Sequence, residues 1–258
     1  MAVFGISGRM GQSLLEALRG SAEHALCGAI VAGTSPHLGH DAALTGAPVG
    51  VPILADIGTA LKEAEVALDF SVAPVVAGHA RRCAVAGVPL LVGATGLDEA
   101  THEALRKAAV RIPVLVAPNT SVGVGVLVHL AAVAAAALPG EFDIEIFEAH
   151  HRAKRDAPSG TALRLGEAVA AARGTTLAEA LVTDRAGVRR EGSIGLSCAR
   201  GGDIVGEHTV TFAGPGERLE FTHRATDRGI FARGALLGAA WLIGQPPGLY
   251  SMQQVLGL

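Results

Sequence analysis

The amino-acid sequence predicts an α/β protein in which a parallel-sheet domain is followed by a second domain with an open mixed sheet. Three observations support this prediction. A short apolar run at the start of the chain leads directly into a glycine-rich turn and a helix-like run. Apolar runs of strand length then alternate with helix-like runs as far as residue 121, which is typical of parallel sheets. Beyond that point polar and apolar residues alternate along short runs, as they do in half-buried strands.

The composition indicates ample core material and no basic surface. Of the 258 residues, 50% are hydrophobic and only 3% are aromatic, so packing rests on alanine, valine, leucine and isoleucine. The formal net charge is −3 and no block of basic residues occurs. We therefore expect no nucleic-acid partner, because proteins that bind nucleic acids carry clustered positive charge.

The cysteine and hydropathy patterns predict a cytoplasmic protein without a membrane segment. Three cysteines, at positions 27, 83 and 198, are widely spaced and form no disulfide framework, which fits a reducing compartment. Residues 122–140 contain no Asp, Glu, Lys or Arg and approach the length of a membrane-spanning helix. Because His129 lies within this run and the other residues are mostly Ala, Val and Gly, we interpret it as a buried helix of a soluble protein.

The first thirty residues have the pattern of a nucleotide-binding βαβ unit. An apolar strand at residues 2–6 runs into the spacing G-x-x-G-x-x-G at Gly5, Gly8 and Gly11, and a second apolar strand follows at 25–31. Between them, one helical face carries the apolar residues Met10, Leu14, Leu15 and Leu18. Glycines at such a turn let a pyrophosphate approach the backbone at a helix N-terminus, so this is a variant dinucleotide-binding motif.

The end of the second strand lacks the acidic residue that usually binds the adenosine ribose. Residues 30–35 read Ile-Val-Ala-Gly-Thr-Ser and contain no carboxylate. Without that negative charge a 2′-phosphate is not repelled, and Thr34, Ser35 or His37 would help to bind one. The sequence therefore predicts NADH and/or NADPH as cofactor rather than strict use of NADH.

Alternating strands and helices continue through the rest of the first domain. Strands are expected at residues 51–54, 66–70, 88–92 and 114–117, with helices at 56–63, 74–86 and after Asp98. The loops 93–96 and 117–121 follow two of these strands, and ligands of parallel sheets collect at the carboxyl ends of strands. Ordinary glycine and proline turns are the alternative interpretation of both loops.

The segment 145–162 concentrates the residues that carry chemistry. A strand at 143–149 ends at His150 and His151, Lys154 follows, and a helix is expected to begin with Asp156 as its N-cap. A helix start binds anions, Lys154 adds a mobile cation, and histidines titrate near neutral pH. A charged solvent-exposed loop is the alternative. We expect no metal, because neighbouring strand residues point to opposite faces and no second ligand cluster has suitable spacing.

The second domain is expected to be a helix pair and an exposed sheet. Helices are expected at residues 123–138 and from 156 to 173, and strands at 181–183, 195–200, 207–212 and 217–224. A final helix is expected at residues 231–242. An exposed sheet face of this kind often packs against its equivalent in another subunit, which suggests a sheet-mediated oligomer.

Segment 145–162 resembles the signature of the bacterial dihydrodipicolinate reductase family. The resemblance extends to the opening glycine turn and to residues 93–96, 117–123, 200–209, 231–235 and 248–250, so it covers nearly the whole chain. It implies a Rossmann-like parallel sheet domain formed by residues 1–121 and 231–258, and a second α+β domain, 122–230, for substrate binding and oligomerisation.

The resemblance also implies an activity, a small dicarboxylate substrate and a homotetramer. The activity is NAD(P)H-dependent reduction of 4-hydroxy-tetrahydrodipicolinate to tetrahydrodipicolinate in lysine and diaminopimelate biosynthesis. Carried over by motif, His150 and Lys154 are the catalytic pair, and His151, Ser159, Gly160 and Thr161 hold the substrate. The cofactor-binding residues are Gly5, Ile6, Ser7, Gly8, Arg9, Met10, Gly93, Ala94, Thr95, Ala117, Pro118, Asn119 and Thr120.

The chain departs from the family pattern at a few of these positions. Ala32 and Gly33 replace the acidic and often basic pair that many members use at the ribose, and Ala94 and Thr120 differ from the common residues of their loops. Two alternative functions remain open from the sequence. One is another Rossmann reductase acting on an imine or keto acid, and the other is a dinucleotide-sensing module.

Overall fold

The computed structural model describes residues 1–184 and 186–258, which form two compact units. Unit 1 contains Met1–Val122 and Gly229–Gly257, and unit 2 contains Gly123–Arg228 and Leu258. The unit bounds lie within two residues of the domain limits expected from the sequence.

The described elements are as follows. The strands are β1 (Ala2–Phe4), β2 (Gly28–Ile30), β3 (Ile53–Leu54), β4 (Ala67–Asp69), β5 (Leu90–Val92), β6 (Pro113–Val116), β7 (Asp143–His150), β8 (Leu181–Val182), β9 (Ile194–Arg200), β10 (Gly206–Gly214), β11 (Glu217–Ala225) and β12 (Gly248–Tyr250). The helices are α1 (Arg9–Arg19), α2 (Ile57–Leu61), α3 (Ala73–Ala86), α4 (Glu99–Ala109), α5 (Val122–Ala137), α6 (Gly160–Ala172), α7 (Leu177–Ala180), α8 (Gly229–Leu242) and α9 (Met252–Leu256).

Unit 1 is built on a seven-stranded sheet with the order β12-β6-β5-β4-β1-β2-β3. All of its pairings are parallel, which confirms the predicted Rossmann-like sheet. Its first core includes the apolar faces of α1 and α8, with Leu14 and Leu15 of α1 completely or almost completely buried. Its second core contains buried residues of α2, α3 and α4, so helices cover both sides of the sheet.

Unit 2 is built on a five-stranded mixed sheet with the order β11-β10-β7-β9-β8. Strand β10 is antiparallel to β11 and β7, whereas β9 is parallel to β7 and β8. Apolar residues of α5 and α6 form one core with alternate residues of the sheet, such as Ile144, Ile146 and Val210. Phe147, whose side chain alternates with these along β7, is 43% exposed. The mixed strand pairing and the exposed face confirm the predicted open mixed sheet.

The structure differs from the sequence-based expectations in two respects. Helix α5 is not buried all round, because Val126, Leu130 and Val133 are exposed on one side of it. Strand β12 and helix α9 extend the fold beyond the predicted final helix. Among the described residues, no helix combines the length and apolar character that crossing a membrane requires.

Candidate functional site

Strand register in unit 2 brings together side chains that are far apart in the sequence. Strand β7 lies between β10 and β9, with Glu148 opposite His208 on one side and His150 beside Arg200 on the other. Glu148 and His150 are two positions apart and therefore point to the same face of the sheet. The result is a cluster of two histidines, one carboxylate and one guanidinium at the carboxyl end of β7.

The carboxylate of Glu148 is the centre of this cluster. It is completely buried, and Arg200 binds it through two hydrogen bonds, from Nη2 to Oε1 at 2.7 Å and from Nη1 to Oε2 at 2.9 Å. Oε1 also accepts the backbone N–H of Ser159 at 3.1 Å, and Oε2 contacts Nδ1 of His150. Burial raises the pKa of Glu148, but the hydrogen bonds from Arg200 and His150 outweigh it and lower the pKa to about 2. Glu148 is therefore ionised at neutral pH.

The two histidines of the cluster are held in the neutral form. Burial lowers the pKa of His150 below its usual value, although the neighbouring Glu148 acts in the opposite direction. Burial also lowers the pKa of His208 to about 4. The His208 ring meets the His150 ring edge to face with 5.2 Å between centroids, and Nε2 of His208 lies 3.2 Å from Oγ of Ser159.

The start of helix α6 differs from the sequence-based expectation that Asp156 is its N-cap. Ser159 is the N-cap instead, and its Oγ accepts the backbone N–H of Ala162 at 3.2 Å. Glu148 fixes Ser159 in place through the backbone N–H, whereas the Asp156 carboxylate is bound by Nζ of Lys154 at 2.9 Å. Proline at 158 also disfavours a helical conformation for the residue before it. The predicted N-cap was therefore wrong by three residues.

The predicted substrate-binding residues lie on the turn between β7 and α6 and on the first turn of α6. Lys154 lies in this turn, with its backbone N–H bonded to the carbonyl of His151 at 3.1 Å. The side chain of Lys154 is 20% exposed. A Cβ built on Gly160 would meet no heavy atom within 4 Å, so the space at the first residue of α6 is open. The first turn of α6 contains Gly160 and Thr161, so an anion bound there would face N–H groups at the positive end of the helix dipole.

The glycine turn of unit 1 fits a pyrophosphate. Gly5 has φ +75°, a conformation that favours glycine, and a Cβ there would lie 3.1 Å from the carbonyl oxygen of Phe70. A Cβ on Gly11 would clash with the carbonyl oxygens of Gly5 and Ile6, so this glycine permits close packing of α1 on β1. Gly8 is the N-cap of α1 and provides no side chain to cap it, which leaves the helix start available to an anion.

The other predicted cofactor-binding residues follow adjacent strands of the same sheet. Residues 93–95 follow β5 and residues 117–120 follow β6, and these strands are paired. Thr95 and Pro118 are exposed, but the side chains of Ala94, Ala117 and Thr120 are buried. Oγ1 of Thr120 donates to the carbonyl of Phe231 at 2.6 Å. Ala94, Ala117 and Thr120 therefore expose almost no surface of their own.

Sequence reasoning did not assign roles to Glu148, Arg200 and His208. The position of Glu148, two residues before His150 in a strand, was a usable signal because such residues share a face. Arg200 is brought to Glu148 by a strand pairing across 52 positions, and His208 by one across 60 positions (208 − 148). The sequence has no local signal for these pairings. Among the described residues, no group of three or more His, Cys, Asp or Glu side chains is arranged to hold a metal ion.

Comparison with known proteins gives a consistent result over almost the whole chain. The family model for the N-terminus of dihydrodipicolinate reductase matches residues 1–120, and that for the C-terminus matches residues 123–256. The chain belongs to the dihydrodipicolinate reductase family. A 4-hydroxy-tetrahydrodipicolinate reductase from Thiobacillus denitrificans is 50% identical over 262 residues, covering 100% of this chain and 98% of that protein.

Further members of the family agree in sequence and in fold. A 4-hydroxy-tetrahydrodipicolinate reductase from Anaeromyxobacter dehalogenans is 47% identical and covers 100% of this chain and 97% of its own length. The dipicolinate-bound dihydrodipicolinate reductase from Paenisporosarcina sp. TG-14 superposes with a TM-score of 0.79 over 98% of this chain and 97% of that one. At 22% identity, this structure supports the fold alone.

Proposed function

We propose that this protein is an NAD(P)H-dependent 4-hydroxy-tetrahydrodipicolinate reductase, which forms tetrahydrodipicolinate for lysine and diaminopimelate synthesis. Membership of the family supports the reaction. Residues 150–161 support the assignment of roles, because they combine a neutral histidine, a lysine and an open helix start within twelve residues. A doubly negative ring needs anion-binding groups, and its reduction needs a proton donor.

Unit 1 binds the dinucleotide in this proposal. Gly5–Met10 bind the pyrophosphate at the start of α1, and the loops at 93–95 and 117–120 line the rest of the cofactor. When bound, NADH or NADPH supplies the hydride that reduces the ring. Residues 31–37, directly after β2, include no carboxylate to repel a 2′-phosphate, so both cofactors are used.

Unit 2 binds and orients the dicarboxylate. One carboxylate lies at the start of α6, where the backbone of Gly160 and Thr161 and the cap residue Ser159 meet the positive end of the helix dipole. His151 binds the ring or the second carboxylate. Holding the ring at fixed donors reduces the entropy that must be lost during reaction.

The proton steps belong to Lys154 and His150. Reduction of the substrate consumes one hydride and one proton and releases one water. Nζ of Lys154 donates the proton to the ring carbon next to the one that receives the hydride, and His150 acts as its acid–base partner. The ion pair of Lys154 with the 59% exposed Asp156 is weak enough for the ammonium to move to the substrate.

We also propose that the protein is a cytoplasmic homotetramer. All three cysteines are free, which suits a reducing compartment. Phe147 on β7 is 43% exposed on the sheet face opposite the core, and this exposed face is a candidate subunit interface. Light scattering during gel filtration tests this. A mass of four chains supports the proposal, and the mass of one 26.1 kDa chain contradicts it.

A coupled assay tests the proposed reaction. The preceding synthase makes the substrate from pyruvate and aspartate semialdehyde, and oxidation of NADH and of NADPH is followed separately by absorbance. We expect oxidation with both cofactors that depends on the synthase. Oxidation that instead requires an open-chain keto acid and ammonia would identify an amino-acid dehydrogenase and contradict the proposal.

A further inference from the structure

The hydrogen bonds of Glu148 determine which nitrogen of His150 carries the proton. Oε1 of Glu148 accepts from Arg200 and Ser159, and Oε2 accepts from Arg200 and contacts His150. The thiol of Cys198 also forms a hydrogen bond with this carboxylate. An ionised carboxylate accepts hydrogen bonds and donates none. Nδ1 of His150 must therefore be the protonated nitrogen, and Nε2 of a neutral His150 carries a lone pair.

The opposite nitrogen of His150 is left for another partner. Among the described residues, none forms a hydrogen bond with Nε2 of His150. Gly206 lies beside it, and a Cβ at this position would be only 3.0 Å from Nε2. The side of the ring that bears the lone pair is therefore kept clear by a glycine on β10.

We propose that Glu148, kept in place by Arg200, is a positioning residue that fixes the tautomer of His150, with the proton on Nδ1 and the lone pair of Nε2 directed away from the cluster. The inference rests on the proposed function, in which His150 takes part in proton transfer. Glu148 is completely buried and acts through His150. Arg200 is the partner that makes a buried carboxylate tolerable, since an unpaired buried charge is costly.

A purely structural role of the Glu148–Arg200 ion pair is the competing explanation, and a pH profile separates the two. Both the hydrogen bond and the charge of Glu148 raise the pKa of His150, whereas Lys154 and Arg200 lower it. In Glu148→Gln the pKa of His150 falls further, so the acidic limb of kcat/KM moves to lower pH. A structural role alone would not move that limb.

The test uses three variants in the coupled assay. We expect Glu148→Gln to lower kcat about 10²-fold, with the dissociation constant for NADPH unchanged and the acidic limb displaced to lower pH. Glu145→Gln is the matched control, because Glu145 also lies on β7 and binds an arginine, Arg189, but its side chain belongs to the opposite face of the strand from Glu148 and His150. It should keep wild-type turnover. His150→Gln tests the proposed function independently.

The outcomes distinguish this inference from the proposed function. If His150→Gln keeps wild-type turnover, the proposed role of His150 fails. If His150→Gln loses turnover while Glu148→Gln keeps it, or loses it with an unmoved acidic limb, only the positioning role of Glu148 is overturned.

A measurement on the unaltered protein keeps the inference testable if Glu148→Gln does not fold. With ¹⁵N-labelled histidine, NMR distinguishes a protonated ring nitrogen from one with a lone pair, and His150→Gln identifies the His150 signals. At neutral pH we expect a protonated Nδ1 and an unprotonated Nε2. The reverse pattern would overturn the proposal.

Discussion

Oε1 of Glu148 accepts the backbone N–H of Ser159 at 3.1 Å, so one buried carboxylate joins strand β7 to the start of helix α6. The same carboxylate contacts Nδ1 of His150. The proposed acid–base residue and the proposed carboxylate-binding helix start are thus held by a single side chain. This arrangement makes the geometry of the turn between them depend on Glu148.

Removal of the Ser159 hydroxyl should destabilise unit 2. Ser159→Ala deletes the cap on the Ala162 N–H and the hydrogen bond with His208. Loss of an N-cap costs about 1 kcal/mol, and the loss of a further hydrogen bond from a buried partner brings the expected total to about 2 kcal/mol. Urea unfolding at pH 7 measures the difference. An unchanged free energy of unfolding would show that Ser159 does not cap α6.

An alanine at Gly11 should disrupt cofactor binding through packing. The added Cβ clashes with the backbone of Gly5 and Ile6, so α1 must move away from the turn that we propose to hold the pyrophosphate. We expect Gly11→Ala to raise the NADPH dissociation constant at least about 10-fold. Gly20→Ala, at the other end of α1, is the control, because its Cβ meets nothing closer than 3.7 Å. Equal NADPH affinity of the two variants would contradict the role of Gly11.

A carboxylate after β2 should restrict the enzyme to NADH. Ala32 is exposed, and its replacement by Asp places a negative charge where the 2′-phosphate of NADPH is expected. Repulsion between the two groups should weaken NADPH binding about 10-fold relative to NADH. Ala32→Asn is the neutral control of nearly equal size. Titration of each variant with both cofactors tests this, and an unchanged preference in Ala32→Asp would place the ribose elsewhere.

The buried His208 should make stability fall in mild acid. Burial lowers its pKa from 6.5 to about 4, so its neutral form contributes stability that is present above pH 6.5 and is lost as the pH falls toward 4. Between pH 7 and pH 5 this amounts to about 2 kcal/mol of the free energy of unfolding. Urea unfolding at both pH values should show a smaller loss for His208→Gln than for the wild type. An equal loss would assign the acid sensitivity to other groups.

Local patterns were sufficient to predict most of the fold and part of the site. The turn at Gly5, Gly8 and Gly11 was predictable because its spacing, the preceding strand and the following helix are all adjacent in the sequence. The strand ends expected from the sequence differ from those of the structure by up to three residues. Pairing with neighbouring strands decides where the hydrogen bonding of a strand stops, and this pairing is not visible in the local sequence. Helix α6 was assigned the wrong N-cap because Asp156 is as good a capping residue as Ser159. The contact of Ser159 with Glu148, eleven positions away, and the ion pair of Asp156 with Lys154 select Ser159 in the folded chain.

The electrostatics of the site were less accessible to sequence reasoning. Arg200 reaches Glu148 across 52 positions through the parallel pairing of β7 with β9, and His208 through the antiparallel pairing with β10. Register of this kind depends on which faces of all the strands are buried. The protonation states of His150 and Glu148 follow from burial and partners, and neither can be read from local sequence.

The turnover number of Lys154→Ala tests the central claim most directly, namely that the turn between β7 and α6 protonates the reduced ring. Arg155→Ala is the matched control, because it removes an exposed cation from the next residue. In the coupled assay with saturating NADPH, Lys154→Ala should lower kcat about 10²–10⁴-fold with unchanged NADPH affinity, while Arg155→Ala keeps wild-type turnover. Near-wild-type turnover of Lys154→Ala would contradict the claim.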